Sequence, residues 1–257
     1  MSGTSLDGLD LATCQFDEHG YKVLHAQTIS YSDDWKLKLA TAQNRSAFEI
    51  FQLHAEYGRF IGQALKSFFE NTGVVPEAVA SHGHTVFHQP QLGFSTQVGC
   101  GATISAVTGL TTVCDFRSKD VALGGQGAPL VPIGDELLFS EFEACLNIGG
   151  IANISFRKHQ QRVAFDICVA NMVLNHLANQ VGQAYDKGGA LAQSGKVNEN
   201  LLKALESLDF YHIQGARSIG REWFETHFVP LLNHDTTLNL LATFTEHAAL
   251  RLSLIHI

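Results

Sequence analysis

The first ten residues, Met-Ser-Gly-Thr-Ser-Leu-Asp-Gly-Leu-Asp, concentrate the residue types that handle phosphate. Gly3 and Gly8 permit a tight turn and a close backbone approach to an anion, and the Thr4 and Ser5 hydroxyls, with backbone N–H groups, can cradle phosphate oxygens. Asp7 or Asp10 can hold the hydrated magnesium that accompanies a nucleotide. Phosphoryl transfer is the chemistry this composition points to. An ordinary hairpin turn has the same composition, and both readings stand at this point. The segment is not a Walker loop, because no Gly-Lys-Ser/Thr opening a helix occurs in the chain.

Four further clusters carry polar groups at the ends of apolar runs. In Ser81-His82-Gly83-His84-Thr85, a glycine between two histidines exposes side chains and backbone to a cleft, as a sugar site needs; a plain polar turn is the alternative. Asp115-Phe116-Arg117, with Asp120, leads into Gly124-Gly125-Gln126-Gly127, so Arg117 is either a ligand contact or a member of a structural ion pair. Asn147 and Asn153 flank a Gly149-Gly150 turn; amides suit the hydroxyl and acetamido groups of a sugar, and they equally suit a tight hairpin. Asp166 ends the apolar run Ala164-Phe165-Asp166-Ile167, five residues before Asn171. A desolvated carboxylate there serves as a general base, or it caps the following helix. The polar loops Tyr185–Ala190 and Ser218–Glu222 read as cleft borders or as helix starts.

The elements that must position these groups follow from periodicity. Leu9–Cys14 and Lys22–Ile29 alternate like strands; Asp33 or Asp34 caps a short helix, and Ser46 caps a long one with Leu53, Tyr57, Ile61, Leu65 and Phe68 on a single stripe. β-rich runs then come at Ala78–Ser81, Ser95–Val98, Thr111–Phe116, Ala144–Ile148, Ile151–Phe156 and Val163–Ile167, and helices at Asn171–Val181, Asn198–Leu208, Arg221–Leu232 and from Leu240 onward. This interleaving predicts an α/β architecture with ligands at strand ends.

At 257 residues and 45% hydrophobic composition the chain can bury one core or two, with a join near Pro129–Gly134. A net charge of −8 without a basic run argues against nucleic acid as a partner. No apolar window approaches a membrane span, so a cytoplasmic protein is expected. Five scattered cysteines read as reduced core thiols. His82, His84 and His88 lack the flanking Glu or Cys of a zinc arrangement, and no metal site is expected from them.

Eight segments in unbroken order, MSGTSLDGLD, SHGHTVFHQP, DFRSKDVALGGQGAPLVP, NIGGIANIS, AFD with Asn171, YDKGGALAQSG, SIGREWF and ATFTEHAA, resemble the anhydro-N-acetylmuramic acid kinase family, sugar kinases of the actin-like ATPase superfamily. The resemblance implies an actin-like (ribonuclease H-like) two-lobed fold around a cleft, residues 1–132 forming the N-terminal lobe and 133–257 an incomplete C-terminal one. It implies ATP and Mg2+ at the glycine-hydroxyl turns, an amino sugar alongside, a homodimer, and a cytoplasmic role in peptidoglycan recycling.

By the same resemblance, Gly3, Thr4, Ser5, Leu6, Asp7, Gly8, Leu9 and Asp10 bind the ATP phosphates, and Asp166 is the catalytic base. His82, Thr85, Arg117, Asn153 and Asp166 contact the sugar or support its site. The implied reaction opens the 1,6-anhydro bridge with water at C1 while O6 takes the γ-phosphate, giving N-acetylmuramate 6-phosphate. The chain departs from the family at Ile167-Cys168-Val169-Ala170, where many relatives carry Thr-Gly-Pro-Gly. It also opens at the loop without the strand that normally leads into it and closes inside the helix after Thr245, so a fragment is expected. A non-catalytic nucleotide or sugar module, and an actin-like kinase for an ordinary hexose, remain as alternatives.

Overall fold

The computed structural model describes the whole chain except residues 3–5, 7, 19, 160, 214, 216, 234 and 254–257, and gives the backbone at 221 and 222. It is a mixed α/β protein of two compact units, Met1–Leu130 and Val131–Ile257.

The first unit opens with the hairpin of β1 (Gly8–Asp17) and β2 (Gly20–Ser30), paired from Gly8↔Ser30 to Asp17↔Gly20. Along β1, Leu9, Leu11 and Thr13 are buried while Asp10, Ala12 and Cys14 face out, the period of two that a half-buried strand requires. Met1 folds back along the outer edge of β1: its N donates to the Asp10 carbonyl at 2.6 Å, and the Asp10 N–H donates to the Met1 carbonyl at 2.8 Å. Helix α1 (Asp33–Ala40) is capped by Ser32, whose hydroxyl accepts from the Trp35 N–H, and not by the expected Asp33 or Asp34. Those two carboxylates occupy the first turn instead, where they meet the positive end of the helix dipole.

Helix α2 (Ala47–Thr72) begins in a reciprocal Ser46/Glu49 capping box and buries the predicted stripe against the hairpin. Next come β3 (Ala78–Ser81), β4 (His84–Gln89), β5 (Phe94–Val98), α3 (Gly101–Thr108), β6 (Thr111–Cys114) and α4 (Ser118–Ala122). β3 and β6 run parallel, while β4 and β5 form an antiparallel hairpin. Strand β4 falls where a cleft-lining segment or a polar turn was expected, because one of its two buried positions is His84, which does not read as apolar. A cavity of about 780 Å³ lies between β1 and β3, lined by Leu11, Ala12, Ile61, Leu65, Ala78 and Val79 among others.

The second unit comprises α5 (Val131–Leu138), the antiparallel meander β7 (Ala144–Ile148), β8 (Ile151–Lys158) and β9 (Gln161–Val169), then α6 (Asn171–Gln180), α7 (Ala190–Ser194), α8 (Glu199–Glu206), α9 (Arg221–His227) and α10 (Thr237–Ser253). Ile154, Ile167, Leu177, Leu205, Phe228 and Phe244 belong to its core. The single helix expected over Arg221–Leu232 is broken: α9 ends at His227, and a 3-10 turn spans Val229–Asn233. Pro230 explains the break, since it lacks the N–H that would continue the α-helical ladder and its ring clashes with the preceding turn.

All five cysteines are free, but only Cys168 is buried; Cys14 and Cys114 are exposed, against the expectation of core thiols. Cys14 is on the outward-facing side of β1, which the strand's alternation dictates. Among the described residues, no helix is long and apolar enough to cross a membrane.

Candidate active site

Asp166 is only 6% exposed. It sits on β9 opposite Asn153 of β8, at an irregularity where Ala152 pairs with Cys168 and Asn153 with Asp166, so that Ile167 is an extra residue. Such a bulge re-aims side chains, and bulges recur beside active sites. The carboxylate Oδ2 accepts from the Ile219 N–H at 2.7 Å and from the Ser218 hydroxyl at 3.1 Å. Burial pushes the Asp166 carboxyl above its ordinary range, with Ile219, Ser218 and the Arg217 guanidinium opposing. Asp166 does not cap α6; the backbone of Ala170 precedes that helix, and no side chain caps it.

Asn171 opens α6 and donates its side-chain amide to the Gly149 carbonyl at 3.0 Å, while the Met172 and Ala170 N–H groups donate to the Gly150 carbonyl at 3.0 and 2.9 Å. The Gly149-Gly150 turn is thereby tied to the strand end that follows Asp166. Asp186, in the later polar loop, accepts from the N–H groups of Leu191 and Ala192 and so caps α7, the structural alternative for that loop.

In the first unit, His82 and Arg117 meet. Arg117 donates Nε and Nη2 to His82 Nε2 at 3.0 and 2.9 Å, and Nη1 to the Gly127 carbonyl at 2.6 Å. His82 Nε2 thus serves as an acceptor, which leaves the Nδ1 proton for the Gly83 carbonyl at 3.0 Å. Burial, reinforced by Arg117, lowers the His82 pKa. The Asp120 carboxylate accepts the Gly127 N–H at 2.7 Å, so the glycine loop is held from both sides. Arg117 therefore engages an imidazole and a carbonyl in place of the neighbouring carboxylates. Thr85 is half-buried on β4, opposite Gln97.

Of the phosphate-loop residues, Gly3, Thr4, Ser5 and Asp7 lie outside the described residues. Leu6 and Leu9 place their side chains in or against the core, so their backbones alone can face a ligand. A Cβ at Gly8 would meet the Ile29 carbonyl oxygen at 2.6 Å, which explains the glycine through strand packing. Asp10 is exposed, with Oδ1 accepting from the Thr28 hydroxyl at 2.6 Å.

The sequence pointed to His84 and Ser218 without their partners, and did not reveal the Tyr57–Tyr31 pair. His84, 5% exposed and so not open to a cleft as the sequence suggested, bonds the Ser2 hydroxyl through Nδ1 at 2.9 Å, and Tyr57 bonds Tyr31 through the hydroxyls at 2.6 Å. Ser218 reached no partner on paper, because Asp166 is 52 residues away.

The second unit thus holds a buried, multiply bonded carboxylate at a strand bulge, and the first an arginine-histidine pair beside a glycine loop. The family model for anhydro-N-acetylmuramic acid kinase matches residues 1–252, and the chain belongs to that family. It is 38% identical to a protein of Photobacterium profundum over 237 residues, covering 87% of this chain and 63% of that one. It is 36% identical to one of Pseudomonas syringae pv. syringae over 240 residues, covering 89% and 66%. It is 37% identical to one of Saccharophagus degradans over 276 residues, covering 98% and 74%. All three bear the name anhydro-N-acetylmuramic acid kinase. The chain spans just under two thirds of the length of the first two.

Proposed function

We propose that this chain carries the sugar site and catalytic base of an ATP-dependent kinase that opens the 1,6-anhydro ring of anhydro-N-acetylmuramic acid and phosphorylates O6, in cytoplasmic recycling of peptidoglycan. The supporting observation is Asp166, a buried carboxylate with a raised pKa, held on one oxygen and set against the amide-bearing strand β8. Burial makes such a carboxylate a stronger base than one in water, the property a general base needs. It takes a proton from a water whose oxygen bonds C1; the C1–O6 bond breaks, and O6 attacks the γ-phosphorus as ADP departs. Family membership supports the substrate class. The two units correspond in this reading to actin-like lobes, and the full-length protein is a homodimer.

His82, Thr85, Arg117 and Asn153 hold the sugar or its supporting shell. The Gly3–Asp10 loop takes the nucleotide phosphates. Asp10 fits a hydrated magnesium ion: its carboxylate is exposed, a hard oxygen donor, and has one oxygen bonded by Thr28. Asp10, or else Asp7, would hold the ion, which would supply neutralising charge to the transferring phosphoryl group. Incubation with ATP, magnesium and the anhydro sugar is expected to yield the 6-phosphate, and Asp166→Asn to abolish it. Undiminished turnover in that variant would remove Asp166 from the role. Sugar binding in calorimetry without phosphorylation favours a binding module, and competition by glucose but not the anhydro sugar favours a hexose kinase.

A further inference from the structure

Three consecutive residues grip Asp166 from one side. The Asp166 N–H donates to the Arg217 carbonyl at 2.9 Å, and Arg217 Nε donates back to the Asp166 carbonyl at 3.0 Å. The Ser218 hydroxyl and the Ile219 N–H both end on Oδ2. Among the described residues no bond reaches Oδ1. Arg217 is itself fixed, with its guanidinium 4.8 Å from the Phe165 ring centre and 5.3 Å from that of Phe210. The clamp is therefore anchored by packing as well as by hydrogen bonds.

Two donors on one carboxylate oxygen localise negative charge there and fix the rotation of the group, leaving the second oxygen's lone pairs for an incoming proton. We infer that Oδ1 of Asp166 is the atom that receives the proton from water, and that Ser218 is the positioning residue that holds the carboxylate in this orientation by donating its hydroxyl to Oδ2. The inference rests on the kinase reading above for the identity of the proton donor. Ser218 also stabilises the ionised form, so its removal raises the proton affinity of the base. The charged group facing Asp166 is Arg217, from the same clamp; on β8 the facing residue is the neutral Asn153, and on β9 the next titratable group is Cys168, whose thiol burial pushes up to about 12.

Carboxyl titration of the chain labelled with 13C at aspartate, assigned with Asp166→Asn, provides a readout independent of turnover. Ser218→Ala is expected to move the Asp166 titration to higher pH, and Ser218→Thr, which keeps the hydroxyl, to restore it. In turnover assays the acid limb moves the same way, and kcat falls about tenfold with little change in KM for the sugar, the loss of about one charge-assisted hydrogen bond. If Ser218→Ala fails to fold, Ser218→Cys, a weaker donor of similar shape, takes its place in the same titration. A titration unmoved in the variant, or a bound water bonded to Oδ2 in a crystal structure with the anhydro sugar, overturns the assignment. The kinase reading fails separately, through undiminished turnover in Asp166→Asn.

Discussion

Asp166 sets chemistry against stability. Its folded-state pKa lies above the ordinary carboxyl value of 3.8, so between the two the folded protein binds more protons than the unfolded chain, and stability drains away as pH rises through that window. Asn at this position keeps an oxygen for Ser218 and Ile219 without the buried charge. Asp166→Asn is therefore expected to melt higher than the native chain at pH 7, with the gap closing below the carboxyl range, as differential scanning calorimetry at several pH values will show. At the other cluster, replacing Arg117 with Met removes a positive charge from His82, and the imidazole titration followed by proton NMR is expected to move upward toward 6.5. Gly83 has φ +70° and its missing Cβ would sit 2.5 Å from the Val98 carbonyl oxygen; Gly83→Ala should cost about 1–3 kcal/mol in urea unfolding. A carboxylate closing an apolar run announced itself in the linear chain. The serine that orients it did not, because the pairing depends on a loop returning to β9 from far along the sequence.

Helix α2 shows what a local pattern can carry by itself. The Ser46 cap and the apolar stripe were legible, since each depends on neighbours within a turn or two, and Glu49 completes the cap. Ser46→Ala is expected to cost about 1 kcal/mol, read from the urea midpoint. Elements without such signals stayed hidden: β4 is too polar to announce a strand, while α3, α4 and α7, at most eight residues long, depend on tertiary packing for stability.

The join between α8, the Asp209–His212 turn and α10 was equally invisible. There His247 accepts from the Tyr211 hydroxyl at 2.8 Å and donates Nδ1 to Glu206 at 2.6 Å, with Arg251 also paired to Glu206. Burial pulls His247 from 6.5 down to about 4. The unfolded chain therefore takes up this proton first as pH falls, and stability is lost between 6.5 and about 4. The loss attributable to this residue is of the order of 3 kcal/mol. Chemical denaturation at pH 7.0 and 4.5 should show it, and His247→Gln should flatten it.

Across the whole molecule, the two cores draw on separate stretches of sequence, one centred on α2 and the other on α10 and the β7 to β9 meander. The order of motifs carried the family assignment, because glycine turns and polar strand ends keep their sequence signature even where helix boundaries do not. The pairing of strands was less accessible: only β3 and β6 run parallel among the described residues, and the rest form antiparallel ladders whose partners are chosen by packing. One of those ladders stops short. Past Asp10, the outer side of β1 carries no partner strand among the described residues and borders the cavity beside β3. Those peptide groups along Leu11–Cys14 that point away from β2 are thus left to water or to any extended segment that reaches them. Crowded solutions will satisfy them with another copy of the molecule, so sedimentation velocity should reveal association growing with concentration, and Ala12→Lys, a cation on the outward-facing side of that rim, should suppress it.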